Sequence, residues 1–295
     1  MAVCWTMKAS SEQENAALSD RNVNATKGAT KSMDTVQFGN VDISRLILGG
    51  NPFSGFSHLI PELDREMRTW YTTARIKETM RQAEDLGITT FLGRADAHIR
   101  RTLMEYWDEG GTIRWLAQTA PEFASLAGNV SQAIGTGAAA VYLHGGQMDF
   151  LVAQNQLDTI KTFVQQVKDA GVPVGVAGHN HKVHIWANEN LDLDFHMCSY
   201  YNPTPRDKNA EHVHGAREVF DDDHRAVMVA TIRELRAPAI HYKIFAAGRK
   251  DPREAFAFVS QHLRPQDAVC IGIFARDKPD MLAEDVHLFE ESLKG

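Results

Sequence analysis

The sequence predicts a single (β/α)8 TIM barrel that is preceded by a short β-hairpin. Eight short apolar segments follow one another along the chain, and a polar loop and a helical pattern separate each from the next. Near-continuous apolar segments are typical of parallel strands that are buried on both faces. Eight strand–helix units, which need roughly 250 residues, favour closure of the sheet into a barrel.

An open, doubly wound parallel sheet is the alternative fold. That fold needs a glycine-rich turn directly after its first strand, where the backbone approaches a dinucleotide. Here Gly49-Gly50-Asn51-Pro52 follows the first strand, and these residues do not match the required spacing. The sequence therefore favours the closed barrel.

The beginning of the chain differs from the rest. Residues 1–32 are polar and have no sustained apolar period, so we expect a disordered tail ahead of a barrel domain that spans residues 33–295. Residues 36–43 alternate between apolar and polar side chains around Gly39-Asn40. This pattern predicts a small hairpin with a two-residue turn.

The remaining elements follow in order. The apolar segments predict barrel strands at 45–50, 89–93, 114–118, 140–144, 173–178, 195–201, 239–246 and 268–274. Apolar side chains at helical spacing predict helices over 73–86 and 153–169. Two further helices are predicted from their caps, one from Asp221 to Leu235 and a last one that begins after Asp277.

Composition and charge narrow the class of protein. The net charge is −7 and no stretch concentrates Lys and Arg, which argues against a nucleic-acid partner. No apolar stretch is long enough to span a membrane, and the first residues lack the pattern of a secretory signal. Cys4, Cys198 and Cys270 are too widely spaced for a zinc or disulfide framework. We expect a cytoplasmic protein with a small-molecule substrate, and its oligomeric state stays open.

The functional residues should lie at the C-terminal ends of the strands, where barrel enzymes carry their chemistry. Polar side chains stand at these positions after all eight strands, and they are Asn51, Arg94, Asp96, His98, Gln118, Glu122, His144, His179, Asn180, His181, Tyr200, Tyr201, Asn202, Lys243, Arg249 and Arg276. From this ring we select Asp96, His98, His144, His179 and Lys243 as catalytic candidates. Asn51, Arg94, Gln118 and Tyr200 are the candidates for substrate contacts.

The histidines support two kinds of chemistry. His144 ends the fourth strand, where an imidazole can polarise a carbonyl or carry a proton, or simply complete a hydrogen-bond network. His179 follows the fifth strand, and His144 and His179 are also the candidates for a metal site. His179 and His181 could together bind a metal ion, with a third ligand from Asp96, His98 or His144. Alternatively, His179 faces the pocket and His181 begins the next helix.

Lysine and arginine residues follow the last strands. Lys243 lies in the seventh apolar segment, where desolvation would suit it for proton transfer or Schiff-base formation. The alternative is a buried ion pair with Asp96 or Glu122. Arg249 and Arg276 follow the seventh and eighth strands, a region of barrels that often binds phosphate, although both could equally pair with nearby acidic residues.

The ordered segments resemble the aldo-keto reductase superfamily. The hairpin with residues 41–51 is similar to the family's N-terminal hairpin and first strand, and residues 142–144 resemble the segment with the family's catalytic His. Residues 175–180 and 201–203 resemble its fifth- and sixth-strand segments, and residues 279–285 resemble its last helix. The resemblance implies NADP or NAD as cofactor, which is expected to contact Asn180, Tyr201, Asn202, Arg249, Arg276 and Glu284.

The catalytic tetrad of that family is only partly present. The resemblance implies that His144 orients a substrate carbonyl and that Tyr201 stacks on nicotinamide. The family's catalytic Tyr has no clear counterpart, Gln118 stands where the family has a Lys, and Met281 stands where an Arg binds the 2′-phosphate. Another group, such as Asp96, His98 or Lys243, would have to supply the proton.

Three functions follow from these residues. The first is an oxidoreductase that uses NAD(P)H on a small carbonyl or sugar-like substrate. The second is a lyase, isomerase or hydrolase on a sugar-like substrate that uses a metal ion or a Schiff base at Lys243 and no nicotinamide. The third is a non-catalytic barrel that binds a ligand, which the dense polar ring disfavours because unused buried polar groups cost stability.

Overall fold

A computed structural model describes residues 33–204, 206–209 and 218–294 of the chain. The predicted tail, residues 1–32, lies outside the described residues. No helix in the described part of the chain is long and apolar enough to cross a bilayer.

Eight parallel strands form a closed barrel. The strands are β3 (Leu46–Gly49), β4 (Thr90–Arg94), β5 (Arg114–Gln118), β6 (Ala140–Leu143), β7 (Val174–Gly178), β8 (Phe195–Ser199), β9 (Ala239–Tyr242) and β10 (Ala268–Gly272). Each strand pairs with the next, and β10 pairs with β3, with Cys270 opposite Ile47, which closes the sheet. The predicted barrel is confirmed, and the open doubly wound sheet is wrong.

Strand alternation separates two apolar layers. Ile47, Leu92 and Leu116 point into the barrel, whereas Phe91 and Trp115 point outward and pack under the helices. Burial on both faces explains why the strands appear in the sequence as unbroken apolar segments. The predicted strand ends at residues 201, 246 and 274 are too late, because the chain turns at the barrel mouth while its residues are still apolar.

The predicted hairpin closes the barrel at the end opposite the mouth. Strands β1 (Thr35–Phe38) and β2 (Val41–Ser44) pair in antiparallel register, with Phe38 opposite Val41. The ring of Phe38 is fully buried and stacks on Phe195, the first residue of β8, with 5.1 Å between ring centroids. The hairpin therefore excludes water from the N-terminal end of the barrel and leaves the C-terminal end open.

Ten helices and one short 3-10 helix connect the described strands. They are a 3-10 turn (Pro52–Ser54), α1 (Pro61–Trp70), α2 (Thr73–Asp85), α3 (Ala97–Asp108), α4 (Leu126–Thr136), α5 (Gly145–Ala153), α6 (Leu157–Asp169), α7 (His181–Asn190), α8 (Asp222–Glu234), α9 (Pro252–Ser260) and α10 (Met281–Ser292). The helix predicted over 73–86 is confirmed, and Asp221 caps α8 as expected. The helix predicted over 153–169 begins four residues later, because a left-handed Asn155 ends α5 first. The last helix begins after Asp280, not Asp277.

Candidate active site

A polar cavity opens at the C-terminal end of the barrel. It encloses about 290 Å³. Its walls come from the ends of six strands and from three loops, and they contain Asn51, Phe56, His58, Arg94, Gln118, Pro121, Glu122, His144, Gly145, His179, Arg206, Tyr242 and Lys243. Seven sequence candidates therefore meet here: Asn51, Arg94, Gln118, Glu122, His144, His179 and Lys243.

The position of His144 fixes its tautomer. The residue lies at the N-cap of α5, and the backbone N–H of Gln147 donates to its Nδ1 at 3.3 Å. Desolvation, together with the nearby Arg94 guanidinium, holds the pKa of His144 well below its usual range, so the ring is neutral. A neutral ring whose Nδ1 accepts a hydrogen bond carries its proton on Nε2. His144 can therefore donate a hydrogen bond to a ligand through Nε2.

His179 is held in the opposite tautomer by a buried carboxylate. Asp149, on α5, accepts from the His179 ring at Nδ1 (2.8 Å) and from the backbone N–H of His179 (3.1 Å) and of Asn180 (3.3 Å). Burial holds the pKa of His179 well below its usual range and raises the pKa of Asp149 to about 6. At pH 7 the neutral ring thus donates from Nδ1 to a carboxylate. Its Nε2 is left as an acceptor, the arrangement of an oriented general base.

Close packing at Gly145 supports this arrangement. A Cβ atom on Gly145 would lie 3.1 Å from Cε1 of His179 and 3.2 Å from the hydroxyl oxygen of Tyr242. Glycine therefore allows the first turn of α5 to approach both rings. Because β6 and β7 are neighbours in the barrel, His144 and His179 present a donor and an acceptor side by side at the cavity wall.

A turn of the backbone brings Lys243 into the cavity. Tyr242 and Lys243 are consecutive and would point to opposite faces of a regular strand. Lys243 has a left-handed φ of 58°, so both side chains line the cavity. Such a conformation costs a non-glycine residue roughly 1 kcal/mol or more, which the surrounding structure must offset.

Lys243 belongs to a hydrogen-bonded chain of three groups. Its Nζ lies 3.3 Å from Nε2 of His58, and Nδ1 of His58 lies 3.0 Å from Oε1 of Glu218. Burial lowers the pKa of Lys243 to about 8, although the Glu218 carboxylate opposes this shift. The predicted alternative, an ion pair of Lys243 with Asp96 or Glu122, is wrong, because Arg94 pairs with both of those carboxylates.

A second, larger cleft adjoins the cavity. It encloses about 400 Å³, and the residues that it shares with the cavity are Asn51, Phe56, His58, Gln118, Tyr242 and Lys243. The cleft is mainly apolar, runs between the loop after β9 and α10, and is lined among others by Gly49, Leu92, Met197, Phe245, Gly248, Lys250, Gly272, Phe274, Lys278, Met281 and Asp285. Burial raises the pKa of Asp285 to about 7. The site therefore has two compartments, one polar and one apolar, that meet at Lys243.

Two catalytic candidates from the sequence lie elsewhere. The side chain of Asp96 caps α3 by accepting from the backbone N–H of Ile99 (2.8 Å). His98 is exposed in the first turn of that helix. Neither residue lines the cavity, because the chain enters α3 immediately after β4. Among the described residues, no three His, Cys, Asp or Glu side chains converge as metal ligands, so the metal hypothesis built on His144 and His179 gains no support.

The aromatic candidates of β8 also face away from both compartments. Tyr200 is buried in the layer between barrel and helices, where its hydroxyl lies 2.9 Å from Nδ1 of His241. Tyr201 packs against Phe220 in the same layer. Tyr201, which the resemblance implied would stack on nicotinamide, is fully buried and lines neither compartment. Asn202 lies at the start of the following loop, where its backbone N–H donates to Nδ1 of His224.

The remaining cofactor candidates have structural partners. Asn180 caps α7. Arg249 lies over the Phe220 ring at 4.2 Å and donates to the carbonyl of His58, which positions the loop carrying that histidine. Arg276 pairs with Glu66 and Asp277, and Glu284 pairs with Lys278. None of these four candidates lines the cleft, although Lys278 of the last pair does.

Five polar residues in or beside the cavity were not found from the sequence: His58, Asp149, Arg206, Glu218 and Tyr242. Asp149 had a local signal, since it is a lone carboxylate on an otherwise apolar helix. The other four are brought together by loops and by strand orientation. Burial raises the pKa of Tyr242 well above its usual range, so its phenol stays protonated.

Comparisons with known proteins identify the fold. No protein-family model matches the sequence, and no curated protein matches it. A Pseudomonas aeruginosa protein assigned to the aldo-keto reductases has a TM-score of 0.59 and 15% identity, covering 88% of this chain and 95% of its own. Gox0644, solved as a variant in complex with NADPH, has a TM-score of 0.54 and 12% identity over 90% of this chain and 92% of its own.

A barrel of a different enzyme class is similar to the same extent. A truncated 3-deoxy-D-arabino-heptulosonate 7-phosphate synthase from Thermotoga maritima has a TM-score of 0.51 and 14% identity, covering 89% of this chain and 90% of its own. At such identities the likeness concerns the fold alone, and fold does not select a reaction. The comparisons thus confirm the (β/α)8 barrel fold, which this chain shares with the Pseudomonas aeruginosa protein, with Gox0644 and with the synthase.

Proposed function

We propose that this chain is an oxidoreductase that interconverts an alcohol and a carbonyl on a small, sugar-like substrate, with a nicotinamide cofactor in the apolar cleft. One observation carries the proposal. Two neutral histidines are fixed in complementary tautomers at the wall of a polar cavity that opens into a larger apolar cleft. Substrate and cofactor would then meet beside Lys243.

The residues of the cleft fit such a cofactor. Its apolar walls suit a flat ring, and the glycines at 49, 248 and 272 leave the floor free of side chains. Lys250 and Lys278 line the cleft, and although they pair with Asp222 and Glu284, their ammonium groups would attract phosphate groups. Bound there, the nicotinamide would supply or accept the hydride.

The proton would be carried by His179 and not by a tyrosine. In the oxidation direction, Nε2 of His179 accepts the proton of the substrate hydroxyl, and the carboxylate of Asp149 stabilises the imidazolium that forms. The Nε2–H of His144 donates to the same substrate oxygen and stabilises its developing charge. In the reduction direction the His179 imidazolium returns the proton to that oxygen. This assignment accounts for the absence of the family's Tyr and Lys.

The cofactor is tested first. NADPH fluorescence titration should give saturable binding at micromolar concentrations. Met281→Trp, which fills the cleft, should weaken binding by at least tenfold, and Met104→Trp on the exposed face of α3 is the matched control. Absence of binding at 1 mM NADPH and 1 mM NADH would refute the proposal.

The proton carrier is tested by turnover at 340 nm with NADP⁺ or NAD⁺ and a panel of sugars and sugar acids. His179→Asn should lower kcat by about 100-fold or more and should leave the Kd for NADPH unchanged. His98→Asn is the control, since His98 is exposed on α3 and should not affect turnover. Full turnover of His179→Asn would exclude His179 as the proton carrier.

The properties of Lys243 favour one alternative function, a reaction through a Schiff base. A lysine whose pKa is lowered to about 8 is a competent nucleophile at neutral pH. Its amine could add to a substrate carbonyl, and loss of water would give an iminium, as in a Schiff-base lyase or isomerase. Borohydride treatment with dihydroxyacetone, followed by mass spectrometry, would show a reduced adduct on Lys243 under this alternative and none under the first proposal.

A further inference from the structure

The charges of the cavity wall point to the class of substrate. Three cationic side chains line the cavity, and they come from separate parts of the chain: Arg94 at the end of β4, Arg206 in the loop after β8, and Lys243 after β9. Glu122, which pairs with Arg94, is the one carboxylate that lines the cavity in the described part of the chain. The wall itself is therefore positively charged.

Three other carboxylates of the described residues lie near the cavity but do not line it. Asp96 pairs with Arg94, Asp149 accepts from His179, and Glu218 contacts His58. Their charges offset the positive charge of the wall without offering a surface to a ligand, so the region as a whole carries no net positive charge. An anion with a single charge consequently suits this wall better than a phosphate, which carries −1.5 to −2 at pH 7.

The geometry of the cationic side chains favours a carboxylate as the bound anion. Arg94 lies over the Phe56 ring with 5.1 Å between the guanidinium carbon and the ring centroid, and Arg206 is buried. A guanidinium held in one orientation binds carboxylates through two parallel N–H groups. The first turn of α5 reaches the same cavity at Gly145, and the N-terminal end of a helix also favours negative charge.

We infer that the substrate is a hydroxy acid of the sugar-acid class, whose carboxylate binds Arg94, Arg206 and Lys243 while a hydroxyl or carbonyl group faces His144 and His179. This inference rests on the proposed function for the reacting group, but not for the binding of the carboxylate. A cavity of about 290 Å³ has room for a small ligand of this kind and not for an oligosaccharide.

The test measures binding without turnover. Glycerate, gluconate and glucuronate are compared with glycerol, glucose and glucose 6-phosphate at 20 mM and constant ionic strength, and the unfolding midpoint of the full chain is followed. At least one of the carboxylates should raise the midpoint by about 3 °C or more. The neutral compounds, as weak ligands, should raise it by less than about 1 °C. Equal shifts for the acids and their neutral counterparts would overturn the inference, as would a response to glucose 6-phosphate alone.

Variants then locate the anion site. Arg206→Gln and Arg94→Gln should each abolish the shift caused by the carboxylate, whereas Arg101→Gln, an exposed arginine on α3, should retain it. Retention of the shift in both cavity variants would place the anion elsewhere and overturn the inference, even if one of them unfolds at a lower temperature. Failure of this inference can be distinguished from failure of the proposed function. If the protein binds gluconate but no nicotinamide cofactor, the carboxylate site is supported and the oxidoreductase is refuted.

Discussion

Replacement of Asp149 by Asn separates the function of this carboxylate from its effect on stability. The carboxylate is buried and accepts three N–H groups, two of them from the backbone. Burial raises its pKa in the folded chain to about 6, from an ordinary value of 3.8. This difference of about 2 units means that ionised Asp149 costs the folded state on the order of 3 kcal/mol at pH 7.

Asp149→Asn removes that cost and keeps the shape of the side chain. An amide has one acceptor oxygen, so one of the three N–H groups loses its partner at a cost of about 1–3 kcal/mol. The two effects nearly cancel, and the free energy of unfolding at pH 7 should stay within about 2 kcal/mol of the wild-type value. Turnover should nevertheless fall by about 100-fold or more, because the amide neither fixes the Nδ1–H tautomer of His179 nor stabilises its imidazolium.

The pH dependence of stability has a definite sign. Because the pKa of Asp149 is higher in the folded than in the unfolded chain, the folded state binds the proton more tightly between pH 6 and 4. From pH 7 to pH 5, the free energy of unfolding of the wild type should therefore increase by about 1 kcal/mol relative to that of Asp149→Asn. Urea unfolding at the two pH values measures this difference.

Proton–nitrogen correlation spectra of the imidazoles test the reasoning directly. Wild-type His179 should carry its proton on Nδ1 and His144 on Nε2, with assignments made by His179→Asn and His144→Asn. An Nε2–H tautomer of His179 in the wild type would refute the assignment of this residue as a base. Unchanged turnover of Asp149→Asn would refute the function of the carboxylate.

Three further substitutions test other parts of the structure. His184 is buried beside His196, and burial lowers its pKa to about 4. Because the unfolded chain then binds the proton at a higher pH than the folded chain, the free energy of unfolding of the wild type should fall by about 2 kcal/mol more than that of His184→Gln from pH 7 to pH 5, as measured by urea unfolding. Gly145→Ala places a methyl group 3.1 Å from His179 and should lower kcat by about 10-fold or more in the 340 nm assay, with a small change in the unfolding midpoint. Asp285→Asn removes a carboxylate whose raised pKa costs the folded chain stability as pH rises from about 4 to 7, so it should raise the free energy of unfolding at pH 8 by up to about 4 kcal/mol and tighten NADPH binding.

The sequence by itself determined the barrel, its hairpin and most of the polar ring. Burial on both faces of every strand produces apolar segments that are visible without a structure, and each segment leads to a strand end where polar residues stand. For this reason Asn51, Arg94, Gln118, His144 and His179 were found from their position after a strand, and all of them line the cavity.

Only the tertiary structure decided which polar groups act together. Asp96 and His98 were equally well placed in the sequence, but they belong to α3 because the chain turns away from the mouth directly after β4. Asp149 and His58 were missed because their partners, His179 and Lys243, lie about 30 and 185 positions away along the chain. A local sequence pattern indicates which face of a strand is buried. Hydrogen bonds between residues so far apart along the chain depend instead on how the barrel closes and on a few backbone angles, such as the left-handed φ of Lys243.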